Sequence, residues 1–186
     1  MRRLNNIVAG LLVLFTFGLS STTLQAEERF SPYVDANGNI SFPDDFRTSM
    51  VHLGSWFVPE GGASGFHDVY TEKESVEAYR QTGEFPDGAT VVKELRAAQT
   101  GDFTTGQGVS YATSELKQWF VMIKDSKDRF ADNPLWGEGW GWALYKPDNQ
   151  NKNVATNFQT DCLGCHVPAK DRDWIYTEAY PMLEVD

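Results

Sequence analysis

Both cysteines of the chain lie in one short segment near the C-terminus, "CLGCH" at residues 162–166. A disulfide is the usual state of two cysteines in an oxidising compartment, but a bond across three residues closes a very small loop and constrains little of the unfolded chain. A redox-active pair is expected in a βαβ context near the N-terminus, which this sequence lacks. A zinc site would need two further ligands, and only His52 and His67 remain as histidines.

Attachment of a c-type haem explains the same segment more simply. On a helical turn, the thiols of Cys162 and Cys165 can each reach one vinyl group of the same porphyrin. The adjacent His166 then becomes the proximal ligand of the iron. We therefore predict one covalently bound haem c, with two thioether cysteines and one histidine ligand.

The N-terminus predicts export. Residues 1–26 begin with two arginines after the initial Met, continue with an apolar run over residues 7–19, and end in the small residue Ala26. This is the arrangement of a cleaved secretory signal peptide, and the apolar run is short for a bilayer span. We expect a single soluble domain over residues 27–186, located in the periplasm, with no membrane anchor after cleavage.

The composition is acidic, with 26 Asp and Glu residues against 16 Lys and Arg residues and a formal net charge of −10. Removal of residues 1–26, which carry two arginines and no acidic residue, would give −12. Such a charge makes nucleic acid and anionic membrane surfaces poor partners. It could steer a basic partner protein or simply maintain solubility.

The region before the cysteines predicts a mainly antiparallel β-sheet with one clear helix. Thr71 and Glu74 fit a capping box at the start of this helix, which ends at Gly83. In "FHDVYT", alternation places His67 on one face of a strand. This order of elements predicts an α+β fold with haem near the C-terminus, and it disfavours an all-helical cytochrome. Further strands are predicted over residues 89–97, after the turn "FPDG", and over residues 116–125 and 139–146.

Lys93 is unusual within its predicted strand. Alternation places it on the same face as Val91 and Leu95, where a charged amine is costly. Burial would lower the pKa of this lysine and favour a nucleophilic amine. Alternatively, a lysine in an edge strand extends its amine to solvent, and the pattern alone does not decide between the two.

The sixth coordination position of the iron stays open at this stage. An electron-transfer cytochrome needs a methionine or histidine there, whereas an empty position favours small-molecule chemistry or gas binding. No candidate lies in an informative motif. The candidates after export are Met50, Met122, Met182, His52 and His67.

Three segments together resemble the cytochrome P460 family, which includes the cytochromes c′-beta. They are "HDVYTEKESVEAYRQTGEFPDGATVVKEL" at residues 67–95, "VMIKDSKDRF" at 121–130 and "DCLGCHVPAKDRDWIYTEAYPML" at 161–183. The resemblance implies a mainly antiparallel β-sheet domain with a few helices, a homodimer, and His166 as the proximal ligand of a five-coordinate haem. Lys93 occupies the place of a lysine that forms an extra covalent bond to the porphyrin in the hydroxylamine-oxidising members.

The resemblance also implies residues for the distal side of the haem. His67 stands where a hydroxylamine-oxidising member has arginine, and a histidine there could bind a ligand, transfer a proton or ligate the iron. The hydroxylamine oxidisers of the family also use a distal carboxylate as proton acceptor, and Asp161 and Glu138 are candidates for this acid or base only by their proximity in the sequence to the haem motif. Phe85 matches a phenylalanine that caps the distal pocket.

The activity implied by the resemblance is oxidation of hydroxylamine or a related small nitrogen species, with transfer of electrons to a partner cytochrome. Two alternatives remain. The c′-beta members bind nitric oxide or carbon monoxide without the lysine bond and without turnover. A simple electron carrier would use His67 or a methionine as the sixth ligand.

Overall fold

The computed structural model describes residues 30–184. The predicted signal peptide and its cleavage point lie outside the described residues. The described chain forms a six-stranded sheet with the order β1-β2-β3-β4-β6-β5, in which every neighbouring pair is antiparallel. The strands are β1 (Val51–Val58), β2 (Gly65–Thr71), β3 (Thr90–Phe103), β4 (Gly106–Lys124), β5 (Trp136–Gly137) and β6 (Trp140–Tyr145).

Helices are few and short, which confirms the expected α+β class with a mainly antiparallel sheet. Within residues 30–184, no helix has the length and apolar character needed to cross a membrane. The helices are α1 (Phe46–Ser49), α2 (Lys73–Thr82) and α3 (Gly164–His166), with a π-helical turn over Gln159–Leu163 and 3₁₀ turns over Val167–Arg172 and Pro181–Leu183.

The start of α2 differs from the predicted capping box. The capping residue is Glu72, and its side chain makes no hydrogen bond to the helix backbone. Thr71 is the last residue of β2 and is fully buried, so its hydroxyl donates to the Thr90 carbonyl (2.8 Å) across the sheet. The helix does end at Gly83 as predicted, with a φ of +78° that glycine adopts at low cost.

The sheet has two buried faces, which we call the C-terminal face and the N-terminal face. On the C-terminal face, Val91 and Met122 pack with residues of the 158–183 region. On the N-terminal face, Val92 and Val121 pack with residues from 34–46. The C-terminal face therefore carries the segment that contains both cysteines.

The register aligns side chains of the C-terminal face in rows across the sheet. Successive rows are two residues apart along each strand, or about 7 Å. The row of Lys93 lies between the row of Trp142 and the row of His67. The three rows are Thr71, Val91, Met122 and Trp142, then Val69, Lys93, Phe120 and Leu144, then His67, Leu95 and Gln118.

Lys93 shares its face with Val91 and Leu95, as the alternation predicted. The strand that carries it, β3, pairs with β2 on one side and β4 on the other, so it is not an edge strand. The alternative of a lysine in an edge strand is therefore wrong, and Lys93 itself is half-buried.

The hairpin of β3 and β4 is longer than predicted. The two strands continue as a pair to Phe103 and Gly106, with register shifts after Leu95, after Arg96 and after Gly101. Sequence periodicity did not indicate this extension, because its residues are mostly exposed and polar and show no regular alternation of apolar side chains.

Glu94, the neighbour of Lys93, belongs to the N-terminal face and is 2% exposed. Its carboxylate accepts hydrogen bonds from Trp119 Nε1 (2.9 Å) and Arg96 Nε (2.6 Å) and pairs with the Arg47 guanidinium. A buried carboxylate with three donors is satisfied, so we assign Glu94 a structural role.

Replacement of Glu94 by alanine should lower the free energy of unfolding by about 3 kcal/mol, because it leaves the Trp119 indole N–H and two guanidinium groups without their acceptor. Urea denaturation measures the loss. Glu77→Ala is the control, since Glu77 pairs with Lys73 (3.6 Å) on the exposed surface of α2 and should contribute little. A loss below about 1 kcal/mol for Glu94→Ala would contradict the structural assignment.

Candidate functional site

The helical segment over residues 159–172 is seated on the C-terminal face by the aromatic residue that precedes it. The Phe158 N–H donates to the Pro134 carbonyl (2.8 Å), and its ring lies nearly parallel to that of Trp142. Gly137 makes this close approach possible, because a Cβ atom there would lie 2.3 Å from the Phe158 ring. The start of the segment is thus fixed against β5 and β6.

Asp161 shapes the turn before the cysteines. Its carboxylate accepts hydrogen bonds from the backbone N–H groups of Thr156 (2.8 Å) and Asn157 (3.1 Å) and from the Thr160 hydroxyl (2.9 Å). These bonds, that of Thr156 first, lower the pKa of Asp161 to about 2. An exposed carboxylate with these partners is a weak base, so its placement gives no support to the predicted acid or base role.

The two cysteines and His166 lie on one helical turn. Neither sulfur is in a disulfide, and Cys162 is half-buried whereas Cys165 is exposed. Burial raises the pKa of the Cys162 thiol to about 11, which is the opposite of what a redox-active pair requires. Residues 30–184 contain no group of three or more His, Cys, Asp or Glu side chains arranged to hold a metal ion, as the zinc alternative would need.

His166 is oriented by the loop that follows it. Its Nδ1 donates to the Trp174 carbonyl (2.8 Å), because a carbonyl oxygen can only accept. The Trp142 ring meets the imidazole edge-on, with centroids 5.0 Å apart. Burial lowers the pKa of His166 to about 4, so the ring is neutral at pH 7. The lone pair of Nε2 is therefore available to a metal, as for a haem ligand whose other nitrogen is hydrogen-bonded.

Lys93 faces the cysteine segment from the sheet. Its Nζ lies 4.0 Å from the centroid of the Phe120 ring, and it has no hydrogen bond or ion pair with any residue that the structure describes. Burial lowers the pKa of Lys93 to about 8, and the electrostatic influence of Cys165 and Cys162 partly offsets this shift. Lys93 is half-buried, and its amine lies beside these cysteines without a polar partner in the described chain, where a bound group could contact it.

His67 lies one row beyond Lys93 on the same face. Its Nε2 donates to the Ala63 carbonyl (2.7 Å), which leaves the Nδ1 lone pair free. Burial lowers the pKa of His67, and the positive charges of Lys93 and Lys117 lower it further. His67 is therefore neutral at pH 7 and able to accept a proton.

The geometry separates the candidates for a sixth iron ligand. His67 and Met122 belong to the C-terminal face. His52 is exposed on a neighbouring strand near Asp68 and Ser55, and Met50 packs with the core of the N-terminal face. Met182 is 42% exposed in the last 3₁₀ turn.

Phe85, the predicted distal cap, is buried next to the segment that follows His166. Its N–H donates to the Asp173 carboxylate (3.0 Å), and its ring packs against Trp140 (5.7 Å). Asp173 immediately precedes Trp174, the residue to which His166 Nδ1 points. Phe85 thus packs with the residues that follow His166, and its role as a distal cap stays a prediction.

Glu138 is remote from the rows that carry Lys93 and His67. It occupies the exposed two-residue turn between β5 and β6, with a φ of +57°. Its side chain makes no hydrogen bond or ion pair with residues 30–184. The structure therefore brings His67, Lys93, Cys162, Cys165 and His166 to one face of the sheet and leaves Glu138 and Asp161 at the surface.

Sequence reasoning missed several residues of this site. Phe120 and Trp142 line it through the strand register, which requires knowledge of the pairing between β3, β4 and β6. The Trp174 carbonyl is a backbone group and leaves no signal in the residue type. Lys117, whose Nζ donates to the Ser64 carbonyl (2.7 Å), lies at a register shift that interrupts the alternation.

The donor set fits a haem. Two unbonded thiols and one imidazole nitrogen are presented on a single helical turn, and the facing sheet offers aromatic side chains and a single amine. Cys162 and Cys165 would hold the porphyrin, and His166 Nε2 would bind the iron.

Asp161 generates a prediction about acid stability. Its folded pKa of about 2 lies below the ordinary value of 3.8, so its contribution is present above pH 4 and is lost as the pH falls through about 2. Asp161→Asn should melt at a lower temperature at neutral pH, and the difference from the parent protein should shrink between about pH 4 and pH 2. Thermal melts across this range measure it.

Asp171→Asn in the same helical segment is the control, because Asp171 has no hydrogen bond or ion pair with the described residues and should show no such trend. A melting difference for Asp161→Asn that stays constant down to about pH 2 would contradict the role of the carboxylate in this turn.

Comparison with known proteins agrees with this site. The family model described as cytochrome P460 matches residues 43–177, a span that contains all six strands and the CLGCH segment. A search of curated proteins found no match. The match covers most of the chain and supports a c-type haem protein. The chain belongs to the cytochrome P460 family.

Proposed function

We propose that this protein is a periplasmic cytochrome that carries one haem c on Cys162 and Cys165 and oxidises hydroxylamine or a related small nitrogen species. The observation that carries the proposal is the position of Lys93. Its amine has no polar partner in the described chain and faces the cysteine segment from the adjacent sheet, where a porphyrin edge would lie. A lysine on an apolar face ordinarily has an ion pair with a carboxylate, and Lys93 has none among the described residues.

A haem held here would supply the iron that binds the substrate nitrogen and accepts its electrons. The chain supplies the environment. His166 presents Nε2 as the proximal ligand, because Trp174 fixes the proton on Nδ1. Phe120 and Trp142 line the face with apolar surface that limits the access of water. The Lys93 amine is placed to bond to the porphyrin edge.

His67 is the residue of this face best placed to take a proton from the substrate. It is neutral at pH 7, and its Nδ1 lone pair is unused. It lies in the row beyond Lys93, whereas His166 contacts Trp142 in the row before. His67 and His166 are therefore on opposite sides of the Lys93 row, as a distal base and a proximal ligand must be.

Binding of nitric oxide or carbon monoxide without turnover is the second candidate. Among the described residues, no carboxylate forms a hydrogen bond or ion pair with His67 or Lys93, so neither residue is directly paired with an acidic proton acceptor. Ligand binding to the iron needs no such acceptor. Rapid gas binding without hydroxylamine oxidation would support this candidate.

The remaining parts of the proposal come from the sequence and from the family. The N-terminal segment supports export to the periplasm. A homodimer and a partner cytochrome as the electron acceptor are inferred by analogy with the family, and the acidic surface would favour a basic partner.

Hydroxylamine turnover tests the proposed activity directly. The haem-loaded protein should oxidise hydroxylamine with an artificial electron acceptor faster than free haem does. His67→Ala should lower kcat by about 100-fold, because a positioned general base contributes at least that much. His52→Ala is the matched control on the neighbouring strand, and its activity should be unchanged. Equal rates for the His67 variant and the parent protein would remove His67 from the mechanism.

The spectrum of the ferrous protein tests the role of Lys93. A bond between Lys93 and the porphyrin should displace the ferrous Soret band strongly to the red, and Lys93→Met should restore the position that is normal for haem c. Lys73→Met changes an exposed lysine of α2 and should leave the spectrum as it is. A parent spectrum that is already normal, and is unaffected by Lys93→Met, would reject the bond and favour the gas-binding candidate.

A further inference from the structure

Two consecutive residues behind His166 have a backbone conformation that side chains disfavour. Asp173 has a φ of +55° and Trp174 a φ of +64°. Left-handed backbone is costly for residues with a Cβ atom, and it persists only where the surrounding structure enforces it. Contacts with other parts of the chain must therefore hold these two residues in this conformation.

The Asp173 side chain is the anchor of this turn. Its carboxylate pairs with the ammonium group of Lys124, and both side chains are buried, with 7% and 10% of their surfaces exposed. Its second oxygen accepts the N–H of Phe85 (3.0 Å), and its carbonyl accepts Trp140 Nε1 (3.1 Å). Three separate segments of the chain, at Phe85, Lys124 and Trp140, therefore converge on one residue.

Lys124 is held independently of the turn. It is the last residue of β4, and its backbone N–H donates to the Ala89 carbonyl (2.9 Å). Its Nζ also lies 5.1 Å from the centroid of the Trp140 ring. The ion pair with Lys124 therefore fixes the position of Asp173 relative to strand β4.

The consequence is visible at the next residue. The left-handed turn directs the Trp174 carbonyl at His166 Nδ1, at 2.8 Å. A turn relaxed to ordinary backbone angles would point this carbonyl elsewhere. The strained turn, its buried anchor and the histidine are therefore one connected unit.

We propose that the buried pair of Lys124 and Asp173 is a positioning device for the proximal ligand. It holds the turn that gives His166 Nδ1 its hydrogen-bond acceptor. A hydrogen bond from Nδ1 makes the imidazole a stronger donor through Nε2 and favours ferric over ferrous iron. The inference rests on haem binding at His166, as in the proposed function, and does not depend on oxidation of hydroxylamine.

The test uses the haem-loaded full chain and two readouts other than activity. In Asp173→Ala and in Lys124→Met, the ferrous iron–histidine stretching band should move to lower frequency. The equilibrium between ferric and ferrous forms should shift about tenfold toward the ferrous form, equivalent to about 59 mV for a one-electron couple. Asp173→Asn keeps an oxygen acceptor and tolerates positive φ, so it should fall between these variants and the parent protein.

Glu178→Gln is the matched control, because Glu178 forms an exposed ion pair with Arg172 in the same C-terminal segment. It should change neither readout. Lys124→Met/Asp173→Leu removes both charges and avoids an unpaired buried ion, so it guards against loss of folding in a single variant. It should show the same displaced stretching band.

An unchanged stretching band and midpoint potential in the Asp173→Ala, Lys124→Met and double variants would overturn the inference. The outcome is separable from that of the proposed function. If the parent protein does not oxidise hydroxylamine but the variants have displaced iron–histidine stretching bands, the proposed activity is rejected and the positioning role is supported. If the parent protein oxidises hydroxylamine but the variants have unchanged bands, the activity is supported and the positioning role is rejected.

Discussion

The hydrogen bond from His166 Nδ1 to the Trp174 carbonyl fixes which nitrogen of the imidazole can bind a metal. Without it, either ring nitrogen could carry the proton, and the ligand would have no fixed direction. With it, Nδ1 carries the proton and Nε2, on the other side of the ring, keeps a lone pair that a metal could bind. Under the proposed function, this orientation fixes which side of the histidine would bind the iron.

Lys93 and Glu94 show how one strand can serve stability and chemistry at once. The two residues are adjacent in β3 and place ionisable groups on opposite faces of the sheet, with Glu94 buried and Lys93 half-buried. Glu94 is surrounded by donors, whereas Lys93 has only an aromatic ring for a neighbour among the interactions of the described chain. A buried charge with a full set of partners stabilises the fold, and one without partners points to a bound group that supplies what the protein does not.

Much of this arrangement could be predicted from the sequence, because it depends on local periodicity. Alternation placed Lys93 on an apolar face, and the spacing of Cys162, Cys165 and His166 indicated the attachment site. The length of the β3–β4 hairpin and the contacts of Thr71 depend on cross-strand pairing, which a single sequence does not specify. The position of Phe85 likewise depends on a long-range hydrogen bond to Asp173, which a single sequence does not specify.

The central claim is that a porphyrin is attached to the cysteine segment, with His166 beneath the iron. The most direct measurement is mass spectrometry of proteolytic peptides from protein produced with the haem-attachment machinery and then denatured. The account predicts that the peptide containing residues 162–166 carries the added mass of one haem, bound through both cysteines. Recovery of that peptide with two free thiols and no added mass would contradict the account.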